Sequence, residues 1–310
     1  MCTIGVDFMA NEDYQKCSVE EVDQILEQAL DIEQTNTVEA LRLSEQALSL
    51  AKKCDYPLQR AKAYVRMGRC YWINGTFDEA INILNQAINL SSILDASYEE
   101  AEAYIALGNV YITINLVDQA INQYNKAYAI INEHNYLTLE AKILNNMGTI
   151  HEELENYDTA LDYYRNSIDT TQKKGDEYGS AIAKFNTGNM YLKMGKLDQA
   201  KTYILEAIDF SEKDNKIILL AHSYQALGKY YQEIKQYQES IEKLELSLKH
   251  AQASKDMSIQ VLIYIELARS HEYVNKLDCV HKYFNKAYKL AKDLKMIEII
   301  PRIHEEVALF

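Results

Sequence analysis

Residues 61–80 read AKAYVRMGRCYWINGTFDEA, and residues 101–120 read AEAYIALGNVYITINLVDQA. Laid over each other, Tyr64 and Tyr104, Gly68 and Gly108, Tyr71 and Tyr111, and Ala80 and Ala120 coincide at a spacing of 40 residues. The glycine phase continues through Gly148, Gly188 and Gly228, and Ala268 takes the next place. Five of the ten glycines in the chain therefore share one phase of one period, which is the signature of a repeat architecture. Around that phase, Tyr64, Met67, Gly68 and Tyr71 are spaced i, i+3, i+4, i+7, one stripe of an α-helix.

A second helical stripe follows each first one. It reads Ala80, Leu84, Ala87, then Ala120, Tyr124, Ala127, then Ala160, Tyr164, Ser167. It goes on as Ala200, Ile204, Ala207, then Ser240, Leu244, Ser247, then Val280, Phe284, Ala287. Asp78, Asp118, Asp158, Asp198 and Asp278 fall in the first turn of this second helix, where a carboxylate complements the positive dipole end. Glycine inside a helix costs about 0.5–1 kcal/mol relative to alanine, so its repetition needs a cause. Close crossing of the two helices of a hairpin supplies one, with a large residue of the second helix filling the space beside the glycine.

Two prolines and ten glycines in 310 residues are few for a turn-rich β protein, and long helices joined by short turns are favoured. A formal net charge of −14 repels phosphate backbones, which argues against nucleic acid as a partner. The five cysteines are odd in number, scattered and without a C-x-x-C pair, and they read as reduced thiols rather than a disulfide framework or zinc site. The opening MCTIGVDFMANEDY lacks the basic and apolar regions of a secretory signal, and no stretch approaches the roughly 18 apolar residues of a membrane span. A cytoplasmic protein with no membrane contact is expected.

The phase-locked tyrosines, glycines and alanines resemble the tetratricopeptide repeat (TPR) family in a 40-residue form. The likeness covers residues 61–300 as six repeats and residues 19–60 as a degenerate capping repeat. There Ala40, Ser44 and Ala47 keep phase with Ala80, Leu84 and Ala87, while Val22, Ile25, Leu26 and Ala29 fit only with a turn one residue shorter. Residues 1–18 carry no periodicity and are expected to be disordered. Residues 301–310, PRIHEEVALF, restart the first-helix pattern and read as the first helix of an incomplete eighth repeat, with more chain expected after Phe310. The resemblance implies an all-α solenoid, a right-handed superhelix of stacked hairpins whose first helices line a concave groove.

Within that frame three ladders on the first helices face the groove. One holds Arg69, Asn109, Thr149, Asn189, Lys229 and Arg269; the next Arg66, Ala106, Asn146, Asn186, Ala226 and Glu266; the third Val65, Ile105, Asn145, Phe185, Gln225 and Ile265. The candidate ligand residues are Arg66, Arg69, Asn109, Asn145, Asn146, Thr149, Asn186, Asn189, Gln225, Lys229 and Arg269. Asparagine pairs with both the N–H and the C=O of an extended peptide, and arginine takes a carboxylate bidentately. The carboxylate clamp of chaperone-tail receptors in this family needs a lysine on the third ladder, which holds none, so chaperone tails are disfavoured.

Nothing points to catalysis. His151-Glu152 and His271-Glu272 lack the second histidine of the zinc motif H-E-x-x-H, and their phase makes them packed helix residues. No phosphate-binding glycine loop and no nucleophile elbow is present, so no catalytic, metal or cofactor site is expected. The functional expectation is a protein-interaction scaffold that grips an extended peptide or a partner helix. Two alternatives stand beside it. The stretch from Glu20 to Tyr64 resembles sensor regions preceding diguanylate cyclase or histidine kinase domains in bacterial signalling proteins, which implies an output domain fused C-terminally. A peptide-pheromone receptor is the other.

Overall fold

The computed structural model describes residues 18–294, 296 and 299–307. The N-terminal stretch read as disordered and the last apolar residues, 308–310, fall outside them. Among the described residues every regular element is an α-helix, fifteen in all. They divide into two compact units, one ending at Leu116 and the other beginning at Val117.

The first unit holds α1 (Val19–Ile32), α2 (Thr37–Lys53), α3 (Pro57–Ile73), α4 (Phe77–Ile93) and α5 (Ser97–Thr113). Successive helices pack as antiparallel neighbours, and the odd-numbered ones also touch each other, α1 on α3 and α3 on α5. This is a two-layer stack of hairpins. The second unit holds α6 (Val117–His134), α7 (Leu137–Glu153), α8 (Tyr157–Lys174), α9 (Glu177–Lys193) and α10 (Leu197–Lys213). It continues with α11 (Ile217–Glu233), α12 (Tyr237–Ala253), α13 (Met257–Tyr273), α14 (Leu277–Asp293) and α15 (Ile299–Val307). Here α7, α9, α11 and α13 touch in series, and α15 packs on α14.

The turns share one geometry. A left-handed residue recurs every 20 positions, at Asp55, Gly75, Asp95, Asn115, Asn135, Glu155, Gly175, Gly195, Asn215, Lys235, Lys255 and Asn275. After α3, the Gly75 amide donates to the Trp72 carbonyl and the Thr76 amide to the Tyr71 carbonyl, the paired bonds of a Schellman motif. The same pair closes α9, with Gly195 on Leu192 and Lys196 on Tyr191, and α11, with Lys235 on Gln232 and Gln236 on Tyr231. Most of the helices are 17 residues long, and three residues of turn complete the 20-residue half-period.

The in-phase glycines act as the sequence implies. A Cβ on Gly68 would sit 2.5 Å from Leu84, one on Gly148 2.5 Å from Tyr164, and one on Gly228 2.6 Å from Leu244. The large residue sixteen positions downstream is buried in each case and takes the volume the missing side chain leaves. Where serine takes the place of Ala87 on the second helix, its hydroxyl is satisfied by the first: Ser167 donates to the Ala141 carbonyl at 3.0 Å and Ser247 to the Ala221 carbonyl at 2.6 Å.

Two features depart from the sequence reading or refine it. Cys70 and Cys279 are free thiols, but Cys54 is disulfide-bonded, against the reading of every cysteine as reduced. The Cys70 thiol is buried, which pushes it up to about 11, so it is an inert packing residue. His151 and His271 are packed as their phase implies, each stacked on a tyrosine twelve residues on, Tyr163 at 5.3 Å and Tyr283 at 5.4 Å between centroids.

Candidate ligand-binding face

The odd-numbered helices leave the whole of the first ladder half-buried. Val65, Ile105, Gln225 and Ile265 of the third ladder and Ala106, Ala226 and Glu266 of the second are buried, so these positions do not face a groove as the sequence reading had it. In the first unit the ladder face is closed by charge. Arg66 reaches Glu102 at 3.2 Å, and Arg69 pairs with Glu33 and approaches Glu102 at 3.6 Å. Beside them, Lys62 meets Asp23 at 3.1 Å. Glu33 and Glu102 are both buried, and the arginines that face them supply the opposite charge that a carboxylate taken out of water requires. Asn109, on α5, is half-buried, and its carbonyl accepts the Thr113 hydroxyl at 3.0 Å.

The second unit carries the amides. On α7 and α9, Asn186 donates from its amide nitrogen to the Asn145 side-chain oxygen at 2.8 Å, a bond between consecutive hairpins. Asn146 is engaged with the Tyr124 phenol, and burial raises that phenol above its usual range. The Thr149 hydroxyl donates to the Asn145 carbonyl at 3.2 Å and lies 3.3 Å from the Tyr164 phenol. Tyr164 in turn donates to Glu152 at 2.7 Å, and Lys193 neutralises that carboxylate at 2.6 Å. Asn145, Asn146, Thr149, Asn186 and Asn189 are all half-buried, so part of their surface faces solvent. On α11, Gln225 is buried and its amide nitrogen has no hydrogen-bond partner. Phe185 and His222 make a tilted ring contact at 6.0 Å along the same face.

Charge returns further on. Lys229 lies 3.7 Å from Glu266, and Arg269 meets Glu266 at 3.3 Å. The Arg269 fork is also bidentate on Glu306 of α15, with its Nε 2.9 Å from one carboxylate oxygen. These bonds raise the Arg269 guanidinium above its usual range, the Glu306 bond foremost. The structure therefore gathers Asn145, Asn146, Thr149, Asn186, Asn189 and Gln225 on α7, α9 and α11. It sets Arg66, Arg69 and Asn109 in the other unit, and it commits all the ladder cations to internal carboxylates. Glu266 stands on the second ladder itself, while Glu33, Glu102 and Glu306 lie off the ladders, 36 or 37 residues from an arginine rather than 40, one turn off the row.

Among the described residues no group of three or more histidines, cysteines, aspartates or glutamates is placed to hold a metal ion. Among them also, no helix is long and apolar enough to cross a membrane.

Residues 59–133 and 139–213 match the tetratricopeptide repeat family. No curated protein matches the sequence. Among solved structures, the Rap conjugation gene regulator of plasmid pLS20, in complex with a Phr peptide, superposes with a TM-score of 0.70 at 17% identity. That match covers 94% of this chain and 81% of the regulator. The apo quorum sensor NprR of B. thuringiensis gives a TM-score of 0.68 at 17% identity over 87% of this chain and 76% of its own. A signal transduction ATPase with a tetratricopeptide repeat sensor, from Pyrococcus horikoshii, gives 0.65 at 19% identity over 90% of this chain and 40% of its own. At these identities the likeness is one of fold, and it agrees with the tetratricopeptide hairpins described above.

Proposed function

We propose that this chain is a non-catalytic protein-interaction scaffold that holds an extended peptide against the amide-lined face of α7, α9 and α11. The observation that carries the reading is the half-buried, uncharged cluster of Asn145, Asn146, Thr149, Asn186 and Asn189. A side-chain amide both donates and accepts, and the Asn186–Asn145 bond is a neutral one that a peptide backbone replaces at little net cost. The buried, unpartnered Gln225 nitrogen adds one donor at the edge of that face. Cytoplasmic residence and a place in bacterial signalling belong to the same proposal. They find support in neighbours named as a quorum sensor, a peptide-bound regulator and a repeat sensor of a signalling ATPase.

The test is selection of 12-residue peptides from a random display library on the full chain. The chosen peptides are then titrated against the parent and against a triple variant carrying Asn145→Ala, Asn186→Ala and Asn189→Ala. The reading expects at least a tenfold loss of affinity with helicity and melting temperature nearly unchanged. Peptides that bind parent and triple variant equally would move the ligand away from this face.

A further inference from the structure

At the turn end of α11 and α13, two tyrosines from consecutive hairpins lie face to face. Tyr237, the first residue of α12, and Tyr273, the last of α13, have ring centroids 4.2 Å apart and planes within 4°. Tyr273 nonetheless keeps 62% of its surface exposed. A ring with one face on its neighbour and that much surface in water presents its other face to solvent. The pair is particular to this place, because the same phase holds Thr113, Glu153, Lys193 and Glu233 in the preceding hairpins.

The two rings edge an open cavity of about 540 Å³ that Gln232, Glu233, Lys235, Arg269, Glu272 and Glu306 complete. Its charges do not balance. The Arg269 guanidinium is spent on Glu306 and Glu266, which leaves Lys235 as the one other cation opposite Glu233 and Glu272. Burial lifts the Tyr237 phenol above its usual range, and Tyr273 and Glu233 lift it further. An open tyrosine face attracts a cation through the ring quadrupole, and carboxylates beside it fix the N–H groups of a planar one.

We propose that this cavity is a second binding site, for an arginine side chain in a basic segment of a partner protein. The guanidinium lies over the outer face of Tyr273 and donates to Glu272 and Glu233. Arginine fits better than lysine because its plane stacks on the ring while its edge donates to both carboxylates. The net charge of −14 steers a basic partner toward the chain. The site lies at the turn edge, apart from the amides of α7 and α9, and does not depend on a peptide there.

The probes are N-acetyl-arginine amide and its uncharged isostere N-acetyl-citrulline amide, followed by ligand-observed NMR with the full chain. The arginine amide binds saturably and the citrulline amide does not. Tyr273→Ala weakens arginine binding about two- to fivefold, the size of an exposed cation–ring contact, and Tyr273→Phe retains it. Glu272→Gln weakens it as well. The triple asparagine variant leaves it unchanged, which separates this site from the amide face. Because Tyr273 and Glu272 sit at the surface of a helix end, melting curves of the variants match the parent. No saturable binding of the arginine amide, equal binding of the citrulline amide, or parental affinity in both Tyr273→Ala and Glu272→Gln overturns the proposal.

Discussion

On α3 the open face carries Arg66 and Arg69; on α7 and α9 the same phases carry Asn146 and Thr149, and Asn186 and Asn189. Both sets are half-buried, and both bond to a neighbouring hairpin. The difference is what happens if a partner is withdrawn. An arginine that loses its carboxylate keeps its charge in a poorly solvated place, whereas an amide that loses another amide keeps a modest dipole that water or a peptide satisfies. The charged face therefore holds its helices in one arrangement, and the amide face has bonding capacity it can exchange. Burial alone does not distinguish a structural polar cluster from a receptive one; the cost of separating its members does.

The comparison breaks first at Glu102. Changing Glu102 to Ala leaves Arg66 without its partner and Arg69 with only Glu33. Loss of one member of a fully buried ion pair costs about 3–5 kcal/mol, and the arginine heads here keep some solvent, so about 2–3 kcal/mol is expected. Denaturant unfolding measures it, with hydrogen exchange assigning the loss to α1–α5. Asn186→Ala sharpens the contrast from the other side. It removes one neutral bond at a half-exposed site and should cost about 0.5–1.5 kcal/mol in the same unfolding experiment. A cost equal to that of Glu102→Ala would erase the distinction between the two faces.

The smallest expected effect separates a buried titrating group from both. His271 is buried against Tyr283, and burial, with Lys276 and Lys282 nearby, lowers its pKa below the ordinary 6.5. The unfolded chain therefore takes up the proton more readily than the native one. Stability is at its full value above about pH 6.5 and declines as the pH falls from there toward the lower native pKa, where it levels off. Replacing His271 by Gln should flatten that part of the pH–stability curve, read from thermal melts that run from about one unit above the ordinary value to about one and a half below it.

The hairpin repeat was legible because its cause is local and periodic. Gly148 and Tyr164 report one close crossing sixteen residues apart, and the same crossing recurs every 40. The acidic first turns followed equally directly: Asp78, Asp158 and Asp198 sit where the dipole places them. The site was legible only in part. Reading along a fixed phase picks out residues in one row, but side chains cross to the next helix on a diagonal. Arg66 meets Glu102, Arg269 meets Glu306, and Asn186 meets Asn145, at offsets of 36, 37 and 41. A search for opposite charges one turn off the 40-residue row would have found the first two. The Tyr237–Tyr273 stack joins two different phases of adjacent repeats, so no ladder contains it.

The Schellman turns also bear on how the protein ages. The sequence contains one Asn-Gly step, Asn74–Gly75, the pair most prone to spontaneous loss of the side-chain amide. That reaction needs the Gly75 nitrogen to swing onto the Asn74 side chain, but here the nitrogen donates to the Trp72 carbonyl at 3.0 Å and the glycine is held in the left-handed region. Deamidation must wait for the turn to open, so its rate measures local fraying between α3 and α4. The product leaves a carboxylate at the C-cap of α3, against the negative end of the helix dipole, which makes each further opening easier.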